Sequence, residues 1–170
     1  AVVLKPYTPV KATQSEFRCL GRSSKIGAML LPAQVKAAGK NLLASPVRLV
    51  CEPGNGALSG LTGKGSLVKR TPETAAWIWN GQSAAFTIQS RMSADYDGLC
   101  WYEITLTPKQ PVELNSLRLE IPRRAETARY IHTANFTWGS QISRGIPEIG
   151  GKWSDKFMPY AWLGDEGRGL

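Results

Sequence analysis

The sequence is poor in the features that mark membrane, zinc and nucleophilic sites. It contains one histidine and three cysteines in 170 residues. The cysteines are far apart and form no CxxC pair, so a structural zinc site is not expected. No apolar run approaches the roughly 20 residues that a membrane-spanning helix requires. We therefore expect no metal, no cofactor and no membrane partner.

Length and composition predict one globular domain over residues 1–170. A chain of this size buries roughly 70 % of its unfolded surface, which is enough for a core without disulfide staples. Hydrophobic residues make up 42 % and charged residues 20 % of the chain, which excludes a disordered class. The chain begins at Ala1 without an initiating methionine and stops at Leu170 beside a predicted turn. We expect a domain excised from a longer multidomain chain, and a secreted or periplasmic location after removal of a signal peptide.

Positive charge is concentrated in the first part of the chain. Residues 1–70 carry eleven Lys and Arg but only two acids, a net charge of +9, whereas residues 71–170 have a net charge of −1. Such an asymmetry is compatible with a solvated lysine-rich surface. The alternative is a one-sided field that attracts an anionic polysaccharide, sulfated or uronic, or a nucleic acid.

Alternating apolar and polar residues predict a β protein. Seventeen glycines and eleven prolines divide the chain into short apolar stretches, as in a sandwich or barrel. Residues 84–92 alternate with period two, a turn follows at 95–98, and residues 99–107 return as the partner strand. Only residues 33–38 could form a short turn of helix. Further strands are predicted over residues 17–20, 25–31, 42–50, 117–121, 128–133 and 157–163.

Several of these segments resemble parts of known enzymes. Residues 32–35 and 39–47 (PAQV and GKNLLASPV) look like the start of a sandwich domain in large glycoside hydrolases. Residues 97–108 (DGLCWYEITLTP) and 117–122 (LRLEIP) are similar to the central hairpin and next strand of that domain. Residues 157–170 (FMPYAWLGDEGRGL) resemble the P-Y-x-W-L-G-x-x-x-R-G-L signature of proteins related to the β-N-acetylgalactosaminidase group, glycoside hydrolase family 123.

The resemblance implies a domain context rather than an active site. It covers the chain from about Phe17 to Leu170, and it points to an N-terminal β-sandwich that precedes a catalytic (β/α)8 barrel. The implied fold is a two-sheet antiparallel β-sandwich with little helix, of galactose-mutarotase-like supersandwich or jelly-roll type. Since the family's catalytic residues belong to the barrel, this chain is expected to be a non-catalytic accessory domain. It would support the missing catalytic domain of a glycoside hydrolase and contribute to carbohydrate binding.

Aromatic residues are the candidates for saccharide contact, because sugar C–H faces stack on indole rings. Trp77 and Trp79 are two residues apart on a predicted strand, so their rings should project from one face. Core packing is the competing interpretation for this pair. Trp138 and Trp153, with Arg144 between them, lie in a long glycine-rich segment that is typical of functional loops. The predicted carbohydrate-binding residues are therefore Trp77, Trp79, Trp138, Arg144 and Trp153.

No set of residues in the sequence indicates catalysis. Asp165 and Glu166 are adjacent acids, as in substrate-assisted hexosaminidases, but they stand between glycines in a predicted turn. His132 is interpreted as structural, because no Gly-x-Ser-x-Gly elbow accompanies it. The three cysteines are interpreted as small buried hydrophobes. We predict no catalytic and no metal-binding residue.

Three other functions stay open from the sequence. One is an independent carbohydrate-binding module for anionic polysaccharide. Another is a nucleic-acid-binding domain, which is disfavoured because basic and aromatic residues are not interleaved as in single-strand platforms. A complete small enzyme ranks last.

Overall fold

The chain folds almost entirely into antiparallel strands. A computed structural model describes residues 3–52, 57–134, 142–146 and 160–170, with the side chains of 142–144 outside the description. In these ranges the helical elements are two 3₁₀ turns, Ala28–Leu30 and Ala125–Thr127. The described strands are β1 (Lys11–Ala12), β2 (Glu16–Cys19), β3 (Arg22–Ile26), β4 (Pro32–Ala37), β5 (Lys40–Asn41), β6 (Arg48–Glu52), β7 (Thr62–Arg70), β8 (Thr74–Gln82), β9 (Phe86–Asp95), β10 (Cys100–Pro108), β11 (Ser116–Glu120), β12 (Tyr130–Ala134), β13 (Ile142–Gly145), β14 (Tyr160–Asp165) and β15 (Arg168–Gly169).

Four sheets are present in the described ranges, and the first two, which enclose the core, are called the large sheets. The first sheet has the order β1-β2-β3-β4-β5, and the second has the order β10-β9-β8-β7. Strands β11 and β6 form a two-stranded ribbon, and β13-β12-β14-β15 form the last sheet. Neighbours pair antiparallel throughout.

The first sheet is a meander whose side chains alternate between core and solvent. Its hairpin turns at Leu20-Gly21 and Ala38-Gly39 have positive φ at both residues, the conformation that matches the twist of the flanking strands. Phe17 is buried while its neighbour Arg18 is exposed. This alternation places one apolar and one polar face on opposite sides of the sheet.

The two large sheets pack face to face around one core. Phe17 of the first sheet meets Trp77 of the second, with ring centroids 5.9 Å apart. The Trp77 Nε1 donates a hydrogen bond to the Thr13 carbonyl at 3.0 Å, so its single polar atom is satisfied inside the core. Buried residues of both sheets belong to a single cluster that includes Val35, Ile88 and others. The predicted all-β sandwich is confirmed.

The β9–β10 hairpin of the second sheet follows the sequence prediction closely, whereas β7 was not predicted. Strands β9 and β10 pair residue by residue from Cys100 opposite Ala94 to Pro108 opposite Phe86. The turn between them has Gly98 at φ +93°, a conformation that glycine adopts without strain. The Asp97 Oδ1 accepts the Leu99 N–H at 2.9 Å and closes this turn. The predicted hairpin is confirmed.

Three local predictions are wrong. Residues 33–38 form no helical turn, because Pro32–Ala37 is strand β4 and pairs with both neighbouring strands. The strand predicted over 25–31 ends at Ile26 and gives way to the 3₁₀ turn. The strand predicted over 42–50 begins only at Arg48. For residues 33–38, pairing with β3 and β5 decides the conformation.

Candidate functional site

The structure places Trp77 and Trp79 in the core. Trp77 is 1 % exposed and Trp79 is 6 % exposed. The Trp79 ring lies against the backbone of β7, since a Cβ added at Gly63 would stand 2.2 Å from its Cζ2. Core packing was one of the two roles considered for this pair, and the buried rings present almost no face to solvent. Saccharide contact by these two residues stays a prediction.

The other predicted binding residues fall mostly outside the described residues. Trp138 and Trp153 lie there entirely. The main chain of Arg144 is in β13, opposite Ile131 of β12, while its side chain is not described. Their proposed role in carbohydrate binding stays a prediction.

The adjacent acids Asp165 and Glu166 serve the last hairpin. Asp165 is 4 % exposed, and its carboxylate accepts the Gly167 N–H at 2.9 Å and pairs with the Arg168 guanidinium at 2.9 Å. The Gly167 hydrogen bond first, and then Arg168, lowers the pKa of Asp165. Glu166 is exposed and pairs with Arg129 at 2.8 Å. Both carboxyls are thus held ionised within a turn.

The histidine and the thiols have structural surroundings. His132 lies in β12, and its ring is 5.8 Å from that of Tyr160. Cys19 and Cys51 are buried, and the described thiols are free. Burial raises the pKa of Cys100 to about 12, which suppresses its thiolate form. In the part of the chain that is described, no group of three or more His, Cys, Asp or Glu could hold a metal.

A polar concave surface lies on the solvent face of the first sheet. We call it the basic depression, and its volume is about 680 Å³. Four cations and one carboxylate project from the solvent face, which gives a net charge of +3, whereas Arg22 stands opposite buried Cys19 and Ala37 and belongs to the other face. Its charged lining residues are Lys11, Glu16, Arg18, Arg22, Lys25 and Lys36.

Strand register arranges part of this lining in a line across the sheet. Lys11 of β1 faces Arg18 of β2, Arg18 faces Ser23 of β3, Ser23 faces Lys36 of β4, and Lys36 faces Asn41 of β5. Directly opposed residues on neighbouring strands project to the same side of a sheet. We call these five side chains the basic row. Every one of them can donate a hydrogen bond.

The carboxylate in the depression is already engaged. The Glu16 carboxylate accepts hydrogen bonds from the Arg18 Nε and Nη2 at 3.2 and 3.1 Å. This exposed bidentate pair raises the pKa of Arg18. Lys11, Lys25 and Lys36 have no ion-pair partner among the residues that the structure describes. Their ammonium groups are therefore available to an external anion.

A second concavity is apolar and lies between the two large sheets and the β6–β11 ribbon. This apolar cleft has a volume of about 510 Å³. Leu119 and Ile121 line it while remaining 50 % exposed, and the thiols of Cys19 and Cys100 belong to its wall. The opposite side of the ribbon is charged, with Arg118 paired to Glu52 at 2.7 Å. The ribbon is thus amphipathic, and its apolar side is only partly covered.

The most specific motif of the sequence has a packing explanation. The Trp162 ring lies over the backbone of the β14–β15 hairpin. A Cβ added at Gly169 would stand 2.1 Å from the Trp162 Nε1, and one at Gly164 would stand 2.3 Å from Cζ2. The two glycines of the motif therefore make room for its tryptophan.

Sequence reasoning missed the basic row. It found the excess positive charge of residues 1–70 but selected none of these side chains. The available signal was that Arg18 and Lys36 alternate with buried neighbours in short strands. The row appears only when the register of the five strands is known.

Comparisons with known proteins agree with the terminal motif. A family model described as "Glycoside hydrolase 123, third domain" matches residues 10–170. The predicted relationship to glycoside hydrolase 123 is confirmed, although the description numbers the domain third where the resemblance led us to expect an N-terminal one. Neither a search of curated proteins nor a search of solved structures found a match.

Proposed function

Because the chain belongs to the family of glycoside hydrolase 123 third domains, we propose that it is a non-catalytic accessory domain that holds saccharide in the basic depression. The observation that carries the proposal is the depression itself, a concave surface of hydrogen-bond donors on a rigid sheet. Saccharides are bound through many hydroxyl groups, which need such donors. A paired sheet fixes the backbone from which these side chains project, so binding does not have to order the main chain.

The state of the carboxyl groups supports a non-catalytic role. Glycoside hydrolysis uses a carboxylic acid whose pKa is raised so that it can protonate the leaving group. In the described part of the chain, the carboxyls with a resolved pKa shift are Glu52, Glu120, Asp165 and Glu166, and all four pKa values are lowered. Hydrogen bonds from neighbouring Arg side chains or backbone N–H groups favour their ionised forms. Such groups are poor general acids.

Binding and hydrolysis measured on the same chain test the proposal. The 170-residue chain is titrated calorimetrically with neutral, uronic and sulfated oligosaccharides of equal length, and it is incubated with chromogenic glycosides. We expect binding to at least one oligosaccharide and no hydrolysis. Hydrolysis of a glycoside above the background rate would contradict the non-catalytic role. Failure to bind any of the oligosaccharides would contradict the saccharide-binding role.

The apolar cleft favours a second candidate function, which is support of a neighbouring domain. Half-exposed apolar side chains that line one concave surface are typical of a contact site. The family description numbers this domain third, so the proposed occupant is another domain of a glycoside hydrolase 123 protein. Contact there would cover Leu119 and Ile121 and leave the charged side of the ribbon in solvent.

Mixing the domain with its proposed neighbour tests this second function. The remaining domains of a glycoside hydrolase 123 protein that contains this domain are expressed separately and titrated with the chain. Leu119→Gln should weaken association at least tenfold, because a polar group would be buried in the contact. Val68→Gln is the matched control, since Val68 is 54 % exposed on β7, away from the cleft. Equal effects of the two substitutions, or no association of the unmodified chain, would refute the contact.

A further inference from the structure

We propose that the basic row binds an anionic saccharide chain laid across the strands of the first sheet, with sulfate or carboxylate groups on the lysine ammonium groups. The inference rests on the proposed saccharide function and specifies its ligand class. Its starting point is the strand register, which brings residues from five separate strands into one line.

The dimensions of the row suit an extended polymer. Adjacent strands lie about 4.8 Å apart, so a line across five strands extends about 19 Å at the backbone. Lys11 and Lys36 lie near its two ends, three strand spacings apart. Lys25 projects from the adjacent row of β3, where it faces Glu16 and Gln34. The cations thus recur along the length of the surface rather than at a single point.

The available charges are lysine ammonium groups. Glu16 occupies Arg18 through two hydrogen bonds, whereas Lys11, Lys25 and Lys36 have no such partner in the described ranges. Lysine is a compact point charge with three donors on a flexible stem, and it can follow anions at irregular spacing. Ser23 and Asn41 add neutral donors and acceptors in the same row, which suit hydroxyl groups between the anions.

The lining of the depression disfavours the two competing ligands. None of the described residues that line it is aromatic, so it lacks the ring faces on which neutral sugars stack. The same absence removes the stacking platforms that proteins use to bind single-stranded nucleic acid. Charge-assisted hydrogen bonds remain as the main source of affinity, and they require an anion.

Four probes and three variants test the inference. The 170-residue chain is titrated with a heparin-derived oligosaccharide, a polygalacturonate-derived oligosaccharide, a neutral cellooligosaccharide of equal length, and a single-stranded oligonucleotide. Lys11→Gln and Lys36→Gln should each weaken binding of an anionic oligosaccharide about threefold to tenfold, because each removes one charge-assisted hydrogen bond. Lys69→Gln is the matched control, since it removes one lysine charge from β7 on the other sheet. Affinity should fall at least tenfold between 50 and 200 mM salt, by analogy with polyanion binding that releases counterions.

Each outcome separates the inference from the proposed function. Stronger binding of either anionic oligosaccharide than of the neutral one, with the predicted pattern of variants, supports the row. Equal binding of neutral and anionic oligosaccharides would overturn the inference and leave the saccharide function intact. Absence of all glycan binding would overturn both. Tighter binding of the oligonucleotide than of either anionic oligosaccharide would overturn the basic row as a saccharide site. An equal loss of affinity in all three variants would overturn it as well.

Discussion

Replacing Gly169 with alanine should destabilise the last sheet because the new methyl group would enter the Trp162 ring. The added Cβ would stand 2.1 Å from the Trp162 Nε1 and 2.3 Å from Cε2. Non-bonded carbon contacts are normally about 3.5–4.0 Å long, so the ring would have to retreat by more than an ångström. It would then lose its packing on Gly164. Overpacking of this kind typically costs about 1–3 kcal/mol.

Gly167 provides the matched control within the same hairpin. A Cβ added there meets nothing within 4 Å. Gly167→Ala should therefore leave the free energy of unfolding unchanged, or raise it by about 0.4–1 kcal/mol, because alanine lowers the conformational entropy of the unfolded chain. Urea unfolding followed by circular dichroism gives the free energy of unfolding of each variant. If the last sheet opens before the rest of the chain unfolds, hydrogen exchange of the β14 amides reports the stability of that sheet alone.

A double-mutant cycle assigns the cost of Gly169→Ala to the tryptophan ring. In a Trp162→Ala background the methyl group has room, so the penalty of Gly169→Ala should fall by at least 1 kcal/mol relative to the unmodified background. Equal stabilities of Gly169→Ala and Gly167→Ala would refute the packing explanation. So would a penalty for Gly169→Ala that is unchanged when Trp162 is absent.

Three further predictions concern the core, a thiol and a carboxylate. Trp77→Ala should lower the free energy of unfolding in urea by about 3–5 kcal/mol, because this side chain is only 1 % exposed. Trp101→Ala should lower it by less than about 0.5 kcal/mol, because this side chain is 68 % exposed. Because the pKa of the Cys100 thiol is raised from 9.0 to about 12, it should react with a disulfide reagent at pH 8 at least 100-fold more slowly in the folded chain than in urea. Rapid labelling of Cys100 in the folded chain would contradict the raised pKa. Because the pKa of Asp165 is lowered from its ordinary value of 3.8, its stabilising contribution is present above that value and is lost as pH falls through the folded pKa. The stability difference between the unmodified chain and Asp165→Asn should therefore shrink in acid unfolding curves below about pH 4, and a constant difference would refute the ionised state.

The β9–β10 hairpin of the second sheet was predictable because its determinants are local, whereas strand β7 was not predicted. Residues 86–95 and 100–108 alternate without interruption and are joined by a short turn with Asp and Gly. A strand pair of this kind needs no distant residues to define its register. Only one register buries the apolar face, and the turn selects the same one.

The first sheet and the basic row were less predictable because their determinants are distributed. Strand β4 is short and contains alanine and glutamine, which are not strong strand formers, so pairing with β3 and β5 decides its conformation. The Gln34 amide shows this dependence directly. It accepts the Leu43 N–H at 3.0 Å and donates to the Leu43 carbonyl at 3.1 Å, which ties β4 to residues nine positions away. Local patterns do not contain such contacts.

The residues of the terminal motif have a packing role and are distinct from the residues that we propose to bind saccharide. Its tryptophan, glycines and Asp–Arg pair form a closed packing unit, and each of these residue types is required by a contact within the hairpin. Such mutual constraint makes the motif specific, because changing one member leaves the others strained or unpaired. The lysines of the basic row face solvent and constrain one another little, so they can vary without cost to the fold. The proposed saccharide contacts therefore lie on the first sheet, apart from the terminal motif of the last sheet.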